Sequence, residues 1–174
     1  DDVESRGLGD VYKRQRDYVY STCLDISAED KQLAANHFDL QGSQGKLRSD
    51  MLSFFVSDAV LDRSKTYGGE SSFADMLEVT CRGGEEDFAA AAVKIFRAKG
   101  VPARLCRGYF ITSDMTKGLT DNSALTVTSK QLHYWAEYYK DGIGWQPFEV
   151  CPDYVGMIKT DDSSCLLYTS PSPR

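Results

Sequence analysis

Apolar residues recur at helical spacing through the first hundred residues of the chain. Between residues 46 and 63 the residues on one helical face are Leu47, Met51, Phe54, Phe55, Ala59 and Leu61. Ser27 and Ser72 are suited to cap shorter helices over residues 28–37 and 73–79. A linker-like break at residues 41–45 separates a lead-in segment, residues 16–45, from a domain that we expect to span residues 46–164.

The longest helical pattern runs from Glu85 to Lys99. Its predicted inward face consists of Phe88, Ala91, Ala92, Ile95 and Phe96. The alanines allow other elements to approach the helix backbone closely. Gly100 suits the left-handed position after a helix end, and Pro102 prevents the helix from continuing. The pattern therefore predicts one well-bounded central helix.

After Pro102 the apolar spacing changes to the alternation that is typical of strands. Residues 103–111 and 132–139 read as strands, and residues 140–144 (KDGIG) as a hairpin turn into a returning strand over residues 145–150. Residues 113–130 between the strands are polar and without periodicity, which predicts a long loop. Helices followed by a meander give an α+β class, with helices packed on an antiparallel β-sheet.

Both ends of the chain carry a pattern that is unrelated to folding. One DNA string encodes residues 5–15 (SRGLGDVYKRQ), and its reverse complement, read one base in, encodes residues 165–174 (CLLYTSPSPR). The string resembles the adapter of transposase-based sequencing libraries. We therefore expect residues 1–15 and 165–174 to be adapter-derived, and residues 16–164 to be a fragment of a larger protein.

Composition and charge narrow the class of partner. The charges of the two adapter-like ends cancel, so the net charge of −6 belongs to residues 16–164. An acidic surface disfavours nucleic acid and anionic membranes as partners. With 41% hydrophobic and 26% charged residues the chain is typical of a globular domain, and no apolar run approaches the ~20 residues that span a bilayer.

Four cysteines remain once Cys165 is set aside with the adapter-like end: Cys23, Cys81, Cys106 and Cys151. None forms a CxxC pair, so we expect neither a zinc site nor a redox pair. Buried free thiols are the favoured interpretation. A disulfide between two of them stays open, because sequence alone does not determine pairing.

The candidate chemistry lies between Gly83 and Glu149. This block reads GGEEDFA, KGVPAR and GY, then HYWAEY and GWQPFE. The order and spacing resemble those of the transglutaminase-like superfamily over roughly residues 54–152. The resemblance implies a papain-like fold, in which a cysteine at a helix start lies against a sheet that carries a histidine and an acid. It also implies amide acyl transfer through a thiolate that the histidine activates.

The family pattern transfers onto three positions, and one of them departs from it. His133 occupies the histidine position, and Glu149 the acid position, where the family usually has aspartate. Glu85 stands where the nucleophilic cysteine is expected. Proline follows the acid position one residue later than in the family, at Pro152. The resemblance also predicts supporting cleft residues: Gly84, Tyr109, Trp135 and Trp145.

Glu85 suits its position but not the chemistry of the family. A carboxylate at a helix start is favoured by ~0.3–1 kcal/mol. As a nucleophile toward an amide it would form an anhydride, with no gain over direct hydrolysis. Glu85 could instead pair with protonated His133 and lock the former cleft, which the loop at residues 113–130 would roof. We therefore expect an inactive binding or structural module, with a polypeptide or cell-wall-type ligand and no cofactor. The resemblance further implies an extracytoplasmic domain of a membrane-associated bacterial protein.

Two active alternatives stay open at this point. The first is a cysteine acyltransferase or peptidase that uses Cys151 or Cys81 with His133 and Glu149. The second is a metal-dependent hydrolase with Glu85, His133 and Glu149 as ligands. One imidazole and two carboxylates suit a divalent cation chemically, although the sequence has no metal-ligand spacing.

Overall fold

The structure is a computed structural model that describes residues 2–64 and 72–157. Its α-helices are α1 (Asp2–Thr22), α2 (Ala28–His37), α3 (Gln44–Ser53), α4 (Glu85–Lys99) and α5 (Ser113–Thr116). Its strands are β1 (Val60–Leu61), β2 (Arg82–Gly83), β3 (Ala103–Tyr109), β4 (Leu132–Lys140) and β5 (Gly144–Phe148). Two π-helical segments (Phe54–Asp58, Asp75–Val79) and a 3-10 turn (Ser129–Gln131) complete these elements. The adapter-like stretch at residues 165–174 lies outside the described residues.

Helix α4 is the centre of the core and confirms the predicted bounds and inward face. Phe88, Ala92, Ile95 and Phe96 have no exposed surface, and Ala91 is 3% exposed. The ring of Phe96 stacks on Tyr138 and meets Phe148 edge-on, at 5.0 and 5.1 Å between ring centroids. Burial of a large apolar side chain stabilises a fold by roughly 1.5–3 kcal/mol. The contacts of α4 therefore fix the sheet in place beside it.

The sheet is an antiparallel meander with the strand order β3-β4-β5. Its register places Ala103 opposite Tyr138 and Gly108 opposite His133. Residues of one face of β4, including Ala136 and Tyr138, are buried in the core with α4. This layered arrangement confirms the α+β class, with helices on an antiparallel sheet.

Local signals explain where the helices begin and end. The hydroxyl of Ser27 accepts a hydrogen bond from the Asp30 N–H at 3.0 Å and so caps α2 as predicted. Ser43, whose role the sequence did not reveal, caps α3 in the same way through the Lys46 N–H. Gly100 ends α4 with φ of 86°, in the left-handed region that glycine tolerates best.

The prediction of one helix over residues 46–63 is wrong at its end. The α-helix stops at Ser53, the chain continues as a π-helical segment, and Val60 then pairs in parallel with Arg82. The wider π-helical turn places Phe54 and Phe55 in edge contact at 5.2 Å while Phe55 also packs on Phe88. Core packing and pairing with β2 thus override the helical period.

Two predicted strand ends are also too long. Strand β3 ends at Tyr109 rather than at residue 111, and β5 ends at Phe148 rather than at residue 150. In both cases the next side chain turns toward His133: the ring of Phe110 packs on it, and Glu149 bonds to it. The predicted loop at residues 113–130 contains only α5 and the start of the 3-10 turn.

Helix α1 connects the lead-in to the hairpin. It runs from residue 2 to residue 22 and so crosses the expected boundary after residue 15, whose origin stays a prediction. Arg16 and Tyr20 both bond to the carboxylate of Asp141 in the β4–β5 turn, at 3.2 and 3.0 Å. None of the helices in the described ranges has the length and hydropathy that crossing a bilayer requires.

Candidate functional site

The start of α4 positions the first site residue. Gly84 precedes the helix with an extended backbone, and its N–H donates to Asp87 Oδ2 at 2.9 Å. Glu85 is the first helical residue, with its side chain 28% exposed. The free N–H groups and the dipole of a helix start favour a carboxylate there. The local sequence therefore places the Glu85 side chain where a helix start favours a carboxylate.

His133 lies on β4 and is 1% exposed. Its Nδ1 is 2.9 Å from Glu85 Oε2, which links the sheet to the start of α4. Gly108 faces it across the ladder. A Cβ at Gly108 would lie 2.9 Å from the ring of Trp135, so the absence of a side chain there allows Trp135 to pack beside His133.

Glu149 completes the cluster from the residue just after β5. Its Oε2 is 2.6 Å from His133 Nε2, and its Oε1 accepts the Cys151 N–H at 2.8 Å. The residue is 7% exposed, so this charge is held by its hydrogen bonds and not by water. The structure thus brings together the three residues that the sequence singled out, with one carboxylate on each ring nitrogen of His133.

The protonation state of His133 follows from this geometry. An ionised carboxylate only accepts hydrogen bonds, so two carboxylates on one imidazole require both ring nitrogens to donate. Burial lowers the pKa of His133, but the hydrogen bonds and charges of Glu149 and Glu85 outweigh it and raise the pKa to about 9. At neutral pH the ring is therefore an imidazolium between the carboxyl groups of Glu85 and Glu149.

Aromatic rings enclose the imidazolium. Tyr154 and Phe110 meet it edge-on with ring centroids 4.5 and 5.6 Å away, and Trp135 lies nearly parallel to it at 6.0 Å. Phe110 and Tyr154 also contact each other, at 4.7 Å. These rings cover the imidazole from just before the predicted roof at residues 113–130 and from the turn at residues 152–157. The sequence reasoning missed Phe110 and Tyr154.

The turn that carries Tyr154 is fixed from a distance. Arg63 donates two hydrogen bonds to the carboxylate of Asp153, at 2.9 and 2.6 Å. This ion pair lowers the pKa of Asp153. The backbone N–H of Tyr154 also donates to the Cys151 carbonyl at 3.0 Å. The side-chain bonds of Asp153 and the backbone bond of Tyr154 therefore hold the segment after Glu149 over His133.

The other predicted cleft residues have different surroundings. Trp145 packs against Tyr139 at 5.4 Å and carries the guanidinium of Arg104 over its ring at 4.2 Å. Tyr109 is 59% exposed at the end of β3. Of the predicted cleft aromatics, Trp135 is the one with a ring contact to His133 among the described residues.

The cysteines are all free thiols in the described part of the chain. Cys151 is 1% exposed, and burial, with the nearby charges of Glu85 and Glu149, raises its pKa to about 12. Burial likewise raises the pKa of Cys106, beside Glu137, to about 12. Cys81 has φ of 46° and lies before β2, outside the first turn of α4. The raised pKa values of Cys106 and Cys151 disfavour the reactive thiolate form of both residues at neutral pH.

The geometry of the cluster disfavours the alternative of a metal site formed by Glu85, His133 and Glu149. Both nitrogens of His133 are within hydrogen-bond distance of carboxylate oxygens, which leaves no lone pair for a cation. Over residues 2–64 and 72–157 no group of three or more His, Cys, Asp or Glu side chains is arranged to hold a metal ion.

The sequence and the fold are similar to those of known proteins. The family model of the transglutaminase-like superfamily matches residues 49–150. The uncharacterised protein YebA of Bacillus subtilis (strain 168) is 34% identical over 64 residues, which is 37% of this chain and 9% of YebA. The periplasmic domain of TgpA from Pseudomonas aeruginosa has the same fold in two crystal structures, at 21% identity in both and TM-scores of 0.59 and 0.54.

The match to TgpA covers 79% of this chain and, in the ethylmercury-bound crystal structure, 49% of the TgpA domain. The chain therefore spans about half of that domain and a small part of YebA. At 21% identity the likeness to TgpA establishes the fold alone. Membership of the family rests on the match of the family model to residues 49–150.

The chain has only two histidines, so the protonation of His133 is directly measurable. We expect NMR titration to show a protonated His133 ring up to about pH 9, since its carboxylate partners raise its pKa to that range. A His37→Gln variant assigns the signals. The folded-state pKa exceeds the unfolded value of about 6.5, so the stabilisation is complete below that pH and is lost as pH rises through about 9. Titration of His133 at or below pH 6.5 would contradict the arrangement.

The two carboxylates should differ in their effect on stability. Glu149→Gln leaves a buried imidazolium with one charged partner and is expected to cost about 3 kcal/mol in urea unfolding. Glu85→Gln should cost roughly 1 kcal/mol, because the Glu85 side chain is 28% exposed. Glu86→Gln is the matched control at the same helix start and should leave the titration of His133 in place. If Glu149→Gln and Glu85→Gln lowered the free energy of unfolding equally, burial would not determine which bond to His133 contributes more to stability.

Proposed function

Because the chain belongs to the transglutaminase-like superfamily, we propose that it is a catalytically inactive member that acts as a binding or structural module. The observation that carries this proposal is the state of His133. Its Nδ1, which faces the nucleophile position, bonds to a carboxylate at 2.9 Å. A residue that would activate a nucleophile instead closes an ion-pair network.

The chemistry of acyl transfer needs two things that this site lacks. It needs a nucleophile that forms a stable acyl intermediate, and Glu85 would form an anhydride instead. It also needs an imidazole that exchanges a proton with the nucleophile and the leaving group, and the Nδ1 proton of His133 is bonded to Glu85. The ring of His133 keeps this proton up to about pH 9, where its pKa lies.

The thiol alternative has weak support from the geometry. The Cys151 thiol is buried, and its raised pKa of about 12 leaves almost no thiolate at neutral pH. Its backbone N–H serves to hold Glu149 in place. The Cys81 carbonyl accepts the Val60 N–H at 2.7 Å, which ties this residue to strand pairing. Both cysteines have structural roles that account for their positions.

The metal alternative has less support. A divalent cation between Glu85, His133 and Glu149 would have to displace two short hydrogen bonds and deprotonate the imidazole. That exchange works against the same charges that raise the pKa of His133. The ion-pair network is the simpler use of these three residues.

A carboxylate at position 85 would also stabilise the fold through its bond to His133. In this chain the Glu85–His133–Glu149 cluster joins α4, β4 and the end of β5 through bonds of 2.9 and 2.6 Å. The rings of Phe110 and Tyr154 then cover the imidazolium. A domain closed in this way retains its surface for binding while the interior of the former cleft is filled.

The compartment forms part of the same proposal. Both relatives are bacterial, and the solved one is a periplasmic domain. We propose that this chain belongs to an extracytoplasmic domain of a larger bacterial protein and has a polypeptide or cell-wall-type ligand. The net charge of −6 favours such ligands over nucleic acid.

Restoring a thiol tests the proposal directly. In Glu85→Cys the new thiol lies at the start of α4 next to His133, so its pKa should fall below 7. We expect iodoacetamide at pH 6.5 to label it about tenfold faster than the native cysteines, because the thiolate is the reactive form. Glu86→Cys places a thiol one residue along the same helix start and is the matched control for the dipole alone.

The unmodified protein is the second arm of this test. It should show no single fast-labelling cysteine and no incorporation of a fluorescent primary amine into a glutamine-containing protein. Fast labelling of Cys151 or Cys81 that disappears in His133→Gln would replace the inactive assignment with the thiol alternative. Equal labelling rates in Glu85→Cys and Glu86→Cys would mean that residue 85 does not face His133 as described.

A further inference from the structure

Strand β3 lies at an edge of the sheet. Within the described residues it pairs with β4 on one side only, in the order β3-β4-β5. It is seven residues long and contains neither proline nor a bulge in its ladder. An edge strand presents a row of N–H and C=O groups that can pair with another extended chain.

The direction of each backbone group follows from the bonds at the two ends of the strand. The Tyr139 N–H donates to the Pro102 carbonyl, and the Phe110 N–H donates to the Gln131 carbonyl. Residues of an antiparallel strand alternate between facing the partner and facing away. The backbone groups of residues 103, 105, 107 and 109 therefore point away from β4, to the free edge.

One end of this edge already binds another segment. The N–H of Ala103 donates to the Cys23 carbonyl at 3.0 Å, and its carbonyl accepts from Arg97 Nε at 3.0 Å. No residue in the two described ranges bonds to the outward groups of Leu105, Arg107 or Tyr109. The open part of the edge is thus five residues long, from Leu105 to Tyr109.

The opposite edge of the sheet is protected in a way that β3 is not. By the same alternation, Trp145 and Pro147 are the outward residues of β5. Proline has no N–H to donate, so the β5 edge lacks a donor in its middle. Of the two edges of this sheet, as far as the described residues form it, only the β3 edge offers an uninterrupted row of outward donors and acceptors.

The side chains beside the open edge have a defined chemical pattern. Leu105 and Tyr109 are 39% and 59% exposed, and Arg107 lies exposed between them. The guanidinium of Arg107 is 5.9 Å from the ring centre of Tyr134 on the neighbouring strand. An apolar, basic, apolar row fits a strand with an acidic residue flanked two positions away by apolar ones.

We propose that the β3 edge binds an extended peptide of a partner protein, with an acidic residue opposite Arg107 and apolar residues opposite Leu105 and Tyr109. This inference deepens the proposed binding role and rests on it. The peptide would add a fourth strand to the sheet, and its main-chain bonds would go to the outward groups of these three residues.

A second copy of this chain is a poorer occupant of the edge. An antiparallel self-pairing that uses all three outward residues places Arg107 opposite its own copy, and like charges directly opposite are destabilising. Shifting the register by two residues in one direction moves Tyr109 opposite Ala103, whose N–H already bonds to Cys23. A shift in the other direction moves Leu105 opposite residue 111, which lies beyond the end of β3. Charge and prior hydrogen bonding both favour a foreign acidic strand.

The open edge ends beside the Glu85–His133–Glu149 cluster. Gly108 lies opposite His133 in the ladder, and Phe110, directly after β3, packs on the imidazole. A bound strand would therefore run along the sheet toward the covered site without entering it. The edge needs none of the atoms that catalysis would have used.

The test uses the 15N-labelled protein and a synthetic peptide with both ends capped. The peptide has seven residues, with glutamate at the centre, valine two positions away on each side and threonine elsewhere. We expect saturable NMR shifts at the outward amides of Leu105, Arg107 and Tyr109 that exceed those at Arg104, Cys106 and Gly108. Arg107→Glu should weaken binding of this peptide about fivefold. The same variant should bind more tightly to a matched peptide that has lysine in place of the central glutamate.

Backbone blocking separates strand addition from a simple charge effect. A peptide N-methylated at its glutamate should lose binding, while N-methylation of the next threonine should be tolerated, because alternate amides face the edge. Arg107→Pro removes an outward donor without breaking the β4 ladder and should also abolish binding. The N-methylated peptides give the same answer on the unmodified protein if this variant does not fold.

Several results would overturn the proposal. These are no saturable shift at ~1 mM peptide, equal shifts at inward and outward amides, or equal affinity for both N-methylated peptides. A dimer in sedimentation equilibrium that Arg107→Pro disrupts would assign the edge to self-association instead. Thiol labelling of Glu85→Cys reports on the former active site independently, so failure of peptide binding is distinguishable from failure of the inactive assignment.

Discussion

The hydrogen bonds of His133 to two carboxylates are the constraint on which the rest of the site depends. Two acceptor-only partners, Glu85 and Glu149, require a doubly protonated imidazole at 2.9 and 2.6 Å. A buried charge is tolerated only when such partners compensate it. The close packing of Phe110 and Tyr154 around the ring is therefore compatible with a charge only because both carboxylates are present.

The same helix start serves opposite purposes for a thiol and for a carboxylate. For a thiol, the helix dipole and a neighbouring histidine stabilise a reactive anion. For Glu85 they stabilise a carboxylate, which as a nucleophile toward an amide would form an anhydride. With glutamate at position 85, the helix start takes part in a hydrogen-bond network with His133.

The sequence predicted those parts of the fold that local patterns determine. The bounds of α4, its inward face and its Gly100 end follow from spacing and caps within fifteen residues. The site residues Glu85, His133 and Glu149 were found through their order in the family pattern. Long-range packing was not predictable: the ion pair of Arg63 with Asp153 joins residues 90 positions apart. No local signal reveals that this bond places Tyr154 over His133, nor that the helix from residue 44 gives way to a π-helical turn.

The Glu85–His133–Glu149 cluster and the open edge of β3 are physically independent features of this sheet. The outward backbone groups of β3 depend on its register with β4, which the aromatic and alanine contacts with α4 determine. The residue at position 85 does not enter that register. Binding along the edge would consequently persist whether position 85 held a thiol or a carboxylate. The hydrogen bonds of the Glu85–His133–Glu149 cluster involve side chains on the other side of the ladder from the free edge, so they leave the outward backbone groups of β3 unchanged.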